Sequence, residues 1–400
     1  VDGGRGIARF PALFMQTTRA HGADILVCTH NDADHTNGII GFLDAGLECR
    51  EIWLPGRWLR VLPHALNPNP EVAEALAEQA LQAAPALRSY SVIVTDEESA
   101  FEIYGERASE QPERYAEGIS REPQRYCEES RSSESYRDDS KDGWPSELAR
   151  DLEGGPLPKW DNFVAPFPWF FDWPPYPWAR YGWPILRQVY NDPIVWRLYF
   201  GAVEAAERIR RIAQLAYHRG VAVRWFQYTK ACPQGGTRWL RPLNGREVAY
   251  VTPARIEALL FELALTTANR ESLVFWADLD DCPGVLFSAD SDLSDIAQLP
   301  NLSGAIITAP HHGSEANANA YSKVRQYFGG SKARVTWIRS DGRFRSRPGS
   351  AYLSAPGRRI CTICRSDYPQ PKQAAKLSMR FWKTWNRWVR EAHIRLCSCH

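Results

Sequence analysis

The sequence predicts an α/β protein. Three observations carry this: short, continuously apolar runs that end in polar clusters, helical patterns lying between them, and 400 residues of which 44% are apolar and 24% charged. That length suits one large domain with insertions, or two domains, and leaves ample material for a core. Chain-wide disorder is excluded, and a formal charge of +1 excludes binding to nucleic acid through bulk charge alone.

The elements follow in chain order. Residues 1–60 alternate apolar runs with Gly and Asp turns. Ala23–Thr29 (ADILVCT) reads as a buried strand that delivers polar side chains at its carboxyl end, and Glu51–Leu54 as another. Residues 70–88, rich in Ala, Leu and Glu behind a leading Pro, predict an amphipathic helix. Residues 201–219 predict a helix stopped by Gly220, followed by the strand Val221–Tyr228. Beyond 250 the pattern is a helix over Ala254–Leu265, then strands at Ser272–Ala277, Gly284–Ser288, Ala305–Ala309 and Arg334–Ile338. Residues 376–396, basic and carrying Trp382, Trp385 and Trp388, predict a helix.

Two stretches differ in composition. Residues 96–153 hold 18 Asp/Glu against 8 Lys/Arg and read as a mobile acidic insertion, solvated or serving to mask a basic surface. Residues 160–190 are dense in Trp, Tyr, Phe and Pro; six prolines between Phe163 and Leu186 exclude a membrane helix there and favour a packing lobe. Across 331–400 the balance reverses to 16 Lys/Arg against 3 Asp/Glu. No internal repeat is evident.

Nine cysteines, an odd number in a long chain, do not read as a disulfide framework and point to a reducing, cytoplasmic setting. No apolar stretch approaches the ~20 residues that span a bilayer, and no segment reads as a targeting signal. The chain opens at Val1 in what reads as a strand end, so a preceding piece is expected to be missing.

The densest chemistry lies in Thr29-His30-Asn31-Asp32-Ala33-Asp34-His35. Two imidazoles and two carboxylates directly after an apolar strand can converge on one point, and divalent cations take such mixed oxygen and nitrogen ligands. The bland alternative is a polar loop whose Asp and His cap the next helix.

This segment resembles the metallo-β-lactamase superfamily signature H-x-[HD]-x-D-H. Its second-position Asp and the small-residue turn Thr36-Asn37-Gly38 are most similar to the hydrolase domain of ComEC-type DNA-uptake proteins and their soluble relatives. Three further segments resemble that subgroup in the same order: the early turn Val1-Asp2-Gly3-Gly4, the strand Val285–Ser288 ending at Ala289-Asp290, and Ile307–Ala309 followed by Pro310-His311-His312-Gly313-Ser314. Asn269–Phe275 fits the strand before the Asp-bearing one. The resemblance covers roughly 1–60 and 250–350. It implies a four-layered αββα sandwich in which 61–249 form an insertion or lid and 351–400 a basic tail.

The resemblance also implies a ligand set. His30 and Asp32 would bind one metal, Asp34 and His35 the second, Asp290 would bridge them, and His311 or His312 would complete the site. Asp34 would also orient the nucleophilic water. One or two divalent ions are expected, Mn²⁺ or Mg²⁺ by the carboxylate-rich shell, with Zn²⁺ compatible. Two departures stand out. The middle His of the superfamily has only His64 and His218 as candidates, neither in a matching segment, and members of the subgroup often lack it. Where relatives carry His-Pro, this chain has Arg347-Pro348 after Arg345; a guanidinium clamps a phosphate oxygen but cannot hold a cation.

The expected function is hydrolysis of a phosphodiester in DNA or RNA, with Arg347 or Arg345 stabilising charge on the phosphate and the basic 376–396 segment contacting nucleic acid through Lys, Arg and Trp. Packing of Phe381, Trp385 and Trp388 on the domain is the plainer role for that segment. Rival readings are an ester, lactone or thioester hydrolase on the same scaffold and a degenerate, non-catalytic module in a multi-protein assembly. Cys361-x-x-Cys364 with Cys397-Ser398-Cys399-His400 offers a structural zinc site, against isolated thiols; Cys28 reads as core.

Overall fold

The computed structural model describes residues 1–4, 6–88, 141–154, 189, 191–265, 271–280, 282–329, 334–340, 347–362, 377–382 and 385–390. It is α/β, with mixed sheets and helices. The chain divides into two compact units: one of Asp2–Trp225 and Val248–Ala268, the other of Phe226–Glu247 and Asn269–His400 with Val1.

In the first unit, β1 (Gly22–Val27) runs parallel to β2 (Glu48–Pro55), with Ile25 opposite Glu51 and Val27 opposite Trp53. Burial increases toward the carboxyl ends of both strands, so the residues following Val27 lie within the core. The first part of β3 (Ala222–Tyr228) lies next to β2. Helices α1 (Arg9–Thr18), α2 (Ala33–Asp44), α3 (Trp58–Leu66), α4 (Pro70–Arg88), α5 (Ser146–Gly154), α6 (Pro193–His218) and α7 (Leu259–Leu265) complete it.

The predicted helix over 70–88 is α4, and it buries Val72, Leu76, Ala80, Ala83 and Leu87 at three- and four-residue spacing. Helix α6 starts at Asp192-Pro193, where Asp192 caps the Ile194 N–H at 3.0 Å and Pro193 takes the first turn. It extends eight residues before the predicted start at 201, and it is so deeply set that even Arg211 is buried, paired with Asp44 of α2 at 3.1 Å.

The segment Thr36-Asn37-Gly38, expected as a turn, lies within helix α2. The reason for a small residue there is close approach. A Cβ on Gly38 would lie 1.8 Å from the Gly3 carbonyl oxygen. The Gly3 N–H donates to His35 O and the Gly38 N–H to Gly4 O, each at 2.8 Å, so the chain start is laced to α2 through backbone alone.

In the second unit, the sheet order is β10-β9-β8-β7-β6-β4. Strands β7 (Cys282–Phe287), β8 (Ile306–Thr308), β9 (Thr336–Arg339) and β10 (Arg358–Cys361) are mutually parallel, while β6 (Phe275–Leu279) and β4 (Leu240–Pro242) are antiparallel. Helices α8 (Ala318–Tyr327) and α9 (Ser350–Leu353) pack on it through Tyr321, Tyr352 and the wholly buried Trp337. The last part of β3 neighbours β5 (Gly245–Val248).

The described residues of the segment 376–396 form strands, not the expected helix. Leu377–Trp382 (β11) and Trp385–Arg390 (β12) pair antiparallel, with Trp382 opposite Trp385 and Met379 opposite Trp388. The spacing of 381, 385 and 388 fits a helix face, but the aromatic content favours strands. The helix expected over Ala254–Leu265 is shorter, a 3₁₀ turn at Ile256–Ala258 leading into α7.

Most of the acidic stretch and the aromatic lobe 160–190 fall outside the described residues, as do Arg345, Cys364 and 397–400. Cys28, Cys49, Cys282 and Cys361 are free thiols, and Cys232 is disulfide-bonded. Among the described residues no helix is long and apolar enough to cross a membrane.

Candidate metal centre

In the first unit, β1 ends at Val27 and the next residues, Thr29, His30 and Asn31, are buried side by side. Asp32 then stands in extended conformation at the start of α2, and Asp34 and His35 occupy its first turn. The chain stays in place because α6 reaches in: Arg208 Nε donates to the Asn31 carbonyl at 2.8 Å, and Asn31 Nδ2 points to Leu263 O at 3.4 Å.

The imidazoles of His30 and His35 lie with ring centroids 3.9 Å apart. His30 Nε2 is 3.4 Å from Asp32 Oδ2, and His35 Nε2 is 3.9 Å from Asp34 Oδ1. All four predicted ligands of the motif are thus brought together.

Asp2 organises them. Its backbone is left-handed (φ 53°), and its N–H donates to Val27 O at 2.8 Å. Its carboxylate accepts the Thr29 N–H at 2.9 Å and lies 3.0 Å from His35 Nδ1. The Thr29 hydroxyl donates to the same carboxylate at 2.9 Å and therefore accepts from His30 Nδ1 at 3.0 Å. In its neutral form His30 then carries the proton on Nδ1 and the lone pair on Nε2, the nitrogen turned toward Asp32, and the Asp2 carboxylate beside His35 Nδ1 favours the same tautomer there. Burial raises the Asp2 carboxyl, but attraction and hydrogen bonding from His35, with the charge of His30, outweigh it and hold the group below the ordinary carboxylate range. Two imidazole nitrogens and two carboxylates, nearly enclosed and pre-oriented by a carboxylate behind them, are a donor set that fits a divalent cation.

The second unit holds the other predicted residues. β7 leads into buried Ser288, left-handed Ala289 (φ 46°) and buried Asp290. β8 leads into Pro310–Gly313, where His311 (φ 44°), His312 (φ 54°) and Gly313 (φ 87°) are left-handed in succession. Each non-glycine residue in that region costs about 1–2 kcal/mol, so the two turns are held rather than relaxed. The holding bonds are visible: Ser288 Oγ to Thr308 O at 2.6 Å, His311 N–H to Ala289 O at 3.0 Å, and Asn317 Nδ2 to Asp290 O at 2.7 Å.

The adjacent histidines differ. His311 Nε2 accepts from the Arg347 guanidinium and lies 3.7 Å from Asp290 Oδ2. His312 Nδ1 donates to Ser340 O at 3.0 Å, which puts its lone pair on Nε2. By donor and acceptor roles, His312 is the better presented as a ligand, and His311 is committed to Arg347. Of the middle-His candidates, His64 donates from Nε2 to Ala254 O at 2.8 Å, and His218 closes the last turn of α6. Cys361 is a buried thiol whose sulfur accepts from Arg339 at 3.2 Å.

Sequence reasoning singles out none of Thr29, Asn317, Arg339 and Ser340. Thr29 stands within the quoted motif; the other three have no spacing signal, since they act from separate strands and turns. Comparison of the chain with protein-family models, with curated proteins and with solved structures finds no match.

Proposed function

We propose that this protein is a metal-dependent hydrolase of the metallo-β-lactamase kind, acting on phosphodiesters of nucleic acid. The observation that carries the reading is the convergence of His30, Asp32, Asp34 and His35 beside the Asp2 carboxylate. With it goes the proposal of a four-layered αββα arrangement, of which the α/β character with mixed sheets is the supporting part. The sequence pattern assigns Asp290 and one of His311 and His312 as further ligands, and the bond from His312 Nδ1 to Ser340 O favours His312. Arg347 is read as a phosphate clamp.

A divalent cation, Mn²⁺, Mg²⁺ or Zn²⁺, supplies Lewis acidity, lowering the pKa of water and neutralising charge on phosphate oxygens. The protein's own part is orientation. Asp2 and Thr29 keep the imidazoles in one tautomer, Asp34 offers a carboxylate oxygen to orient the attacking water, and Arg347, with five N–H donors, has capacity for a phosphate oxygen beyond its bond to His311.

The test starts with metal-stripped full-length protein, titrated with Mn²⁺ and Zn²⁺ and then assayed on labelled oligonucleotides and on acyl esters. Metal binding that disappears in Asp34→Ala/His35→Ala, with unchanged circular dichroism and loss of oligonucleotide cleavage, is the expected result. Cleavage of esters alone moves the substrate class. Absence of binding and of thermal stabilisation by either ion leaves the non-catalytic module, which the engagement of His311 by Arg347 favours.

A further inference from the structure

We propose that Arg339 is a positioning residue for His312, acting with the backbone of Ser340 as a two-point clamp; this rests on the reading of His312 as a metal ligand. β9 ends at Arg339, and Ser340 follows. Arg339 is almost wholly buried, and its Nε–H donates to the main-chain oxygen of His312 at 2.6 Å. The Ser340 carbonyl accepts from Nδ1 of the same histidine at 3.0 Å. Two consecutive residues therefore hold one histidine at its backbone and at its ring.

The backbone grip matters because His312 is left-handed, with left-handed His311 before it and Gly313 after it. A side chain projects from such a turn in a direction that changes sharply if φ relaxes to its ordinary negative range. The Arg339 stem packs on the turn as well: a Cβ on Gly313 would stand 3.3 Å from both Cδ and Nε of Arg339. On the far side the guanidinium reaches the sulfur of Cys361, its register partner on β10, at 3.2 Å. The guanidinium is thus anchored in the sheet and aimed at one carbonyl.

The ring grip fixes chemistry rather than shape. A carbonyl only accepts, so the bond to Ser340 keeps the proton on Nδ1 and the lone pair on Nε2, the arrangement a histidine needs to bind a cation. A buried guanidinium is expensive to desolvate, and a methionine of similar length has the volume to fill the same space. An arginine, unlike a methionine, supplies the donor that holds the His312 carbonyl.

The experiment uses full-length protein with ¹⁵N-labelled histidine, comparing wild type, Arg339→Met and Arg339→Lys, with His312→Ala to assign the ring signals. In wild type the His312 ring is expected as a single tautomer with unprotonated Nε2. Arg339→Met is expected to mix the tautomers and to weaken Zn²⁺ binding about 10-fold or more, with Arg339→Lys intermediate. A wild-type tautomer and wild-type affinity in folded Arg339→Met, with only the melting temperature lowered, overturns the proposal. If Arg339→Met does not fold, the same comparison is made with Arg339→Lys, and an unchanged His312 spectrum there overturns it. Wild-type protein that binds neither Zn²⁺ nor Mn²⁺ refutes the metal reading, while the ring spectra of the metal-free variants still decide whether Arg339 positions His312.

Discussion

The carboxylate of Asp2 stands 3.0 Å from Nδ1 of His35, and through the Thr29 hydroxyl it also governs His30. One residue near the start of the chain therefore stands behind both imidazoles of the motif and favours the proton on Nδ1 in each. Asp2→Asn keeps the shape but can no longer accept at both oxygens. We expect it to weaken Mn²⁺ or Zn²⁺ binding by about 10–100-fold, the usual effect of removing a carboxylate behind a ligating histidine. Titration calorimetry of the two proteins checks this, and equal affinities would exclude Asp2 from the metal's support.

The same residue gives a pH signature in the metal-free protein. The folded carboxyl lies below its unfolded value, despite burial, because of His35 and His30. A group of that kind contributes its full stability above the unfolded pKa, about 3.9 for Asp, and loses it as pH falls through the lower, folded value. Wild type is therefore expected to lose unfolding free energy faster than Asp2→Asn as pH drops below about 4. Urea unfolding at a series of pH values from mildly to strongly acidic reads the difference directly; parallel curves would contradict it.

What is legible in the sequence and what is not divides along physical lines. β1 is readable because Ile25–Cys28 is continuously apolar and ends in a polar cluster, which a buried strand end accommodates. α4 is readable from spacing and its leading Pro70. The segment 376–396 misleads because Phe381, Trp385 and Trp388 satisfy a helix period, while the pairing of β11 with β12 depends on partners that periodicity along one strand cannot report. At the site, the residue types of the motif stand out, but their arrangement does not. Asp2 and Thr29 are 27 residues apart, and Arg339 stands 27 residues after His312; these bonds exist only once the strands are laid side by side.

The hairpin offers a way to separate nucleic-acid contact from packing. Arg380 and Arg387 are register partners across β11 and β12, and like charges directly opposite weaken such a pair. Arg380→Glu should therefore preserve or slightly stabilise the hairpin, by about 0.2–1 kcal/mol, while weakening any hold on phosphate. If the basic tail binds nucleic acid, the variant binds a single-stranded oligonucleotide more weakly and its log affinity falls less steeply with log salt, by about one unit for each phosphate no longer neutralised. Fluorescence anisotropy across about 50–200 mM salt is the measurement. Identical affinity and slope would leave the hairpin with packing alone.

Glu262 of α7 is wholly buried and receives two arginines of the α3 region, Arg57 Nε and Arg60 Nε, each at 2.9 Å. Arg60 also accepts the Ala254 N–H on its carbonyl at 2.9 Å, and Leu263, next in α7, accepts from Asn31 of the motif. The carboxylate thus joins the support of the candidate centre to the helical core. Removing one partner of a buried ion pair strands the others; the usual loss is about 3–5 kcal/mol. Because the arginines keep some access to water, at 17% and 24% exposure, Glu262→Ala is expected toward the lower end of that range. Replacing all three residues by methionine removes the stranded charges together, and most of the lost stability should return. Urea unfolding with an unchanged m-value measures both variants. A loss below about 1 kcal/mol in Glu262→Ala would place the pair among weak surface ion pairs, and a triple variant no more stable than the single one would show that the geometry of the charges, rather than their burial, holds α7 in place.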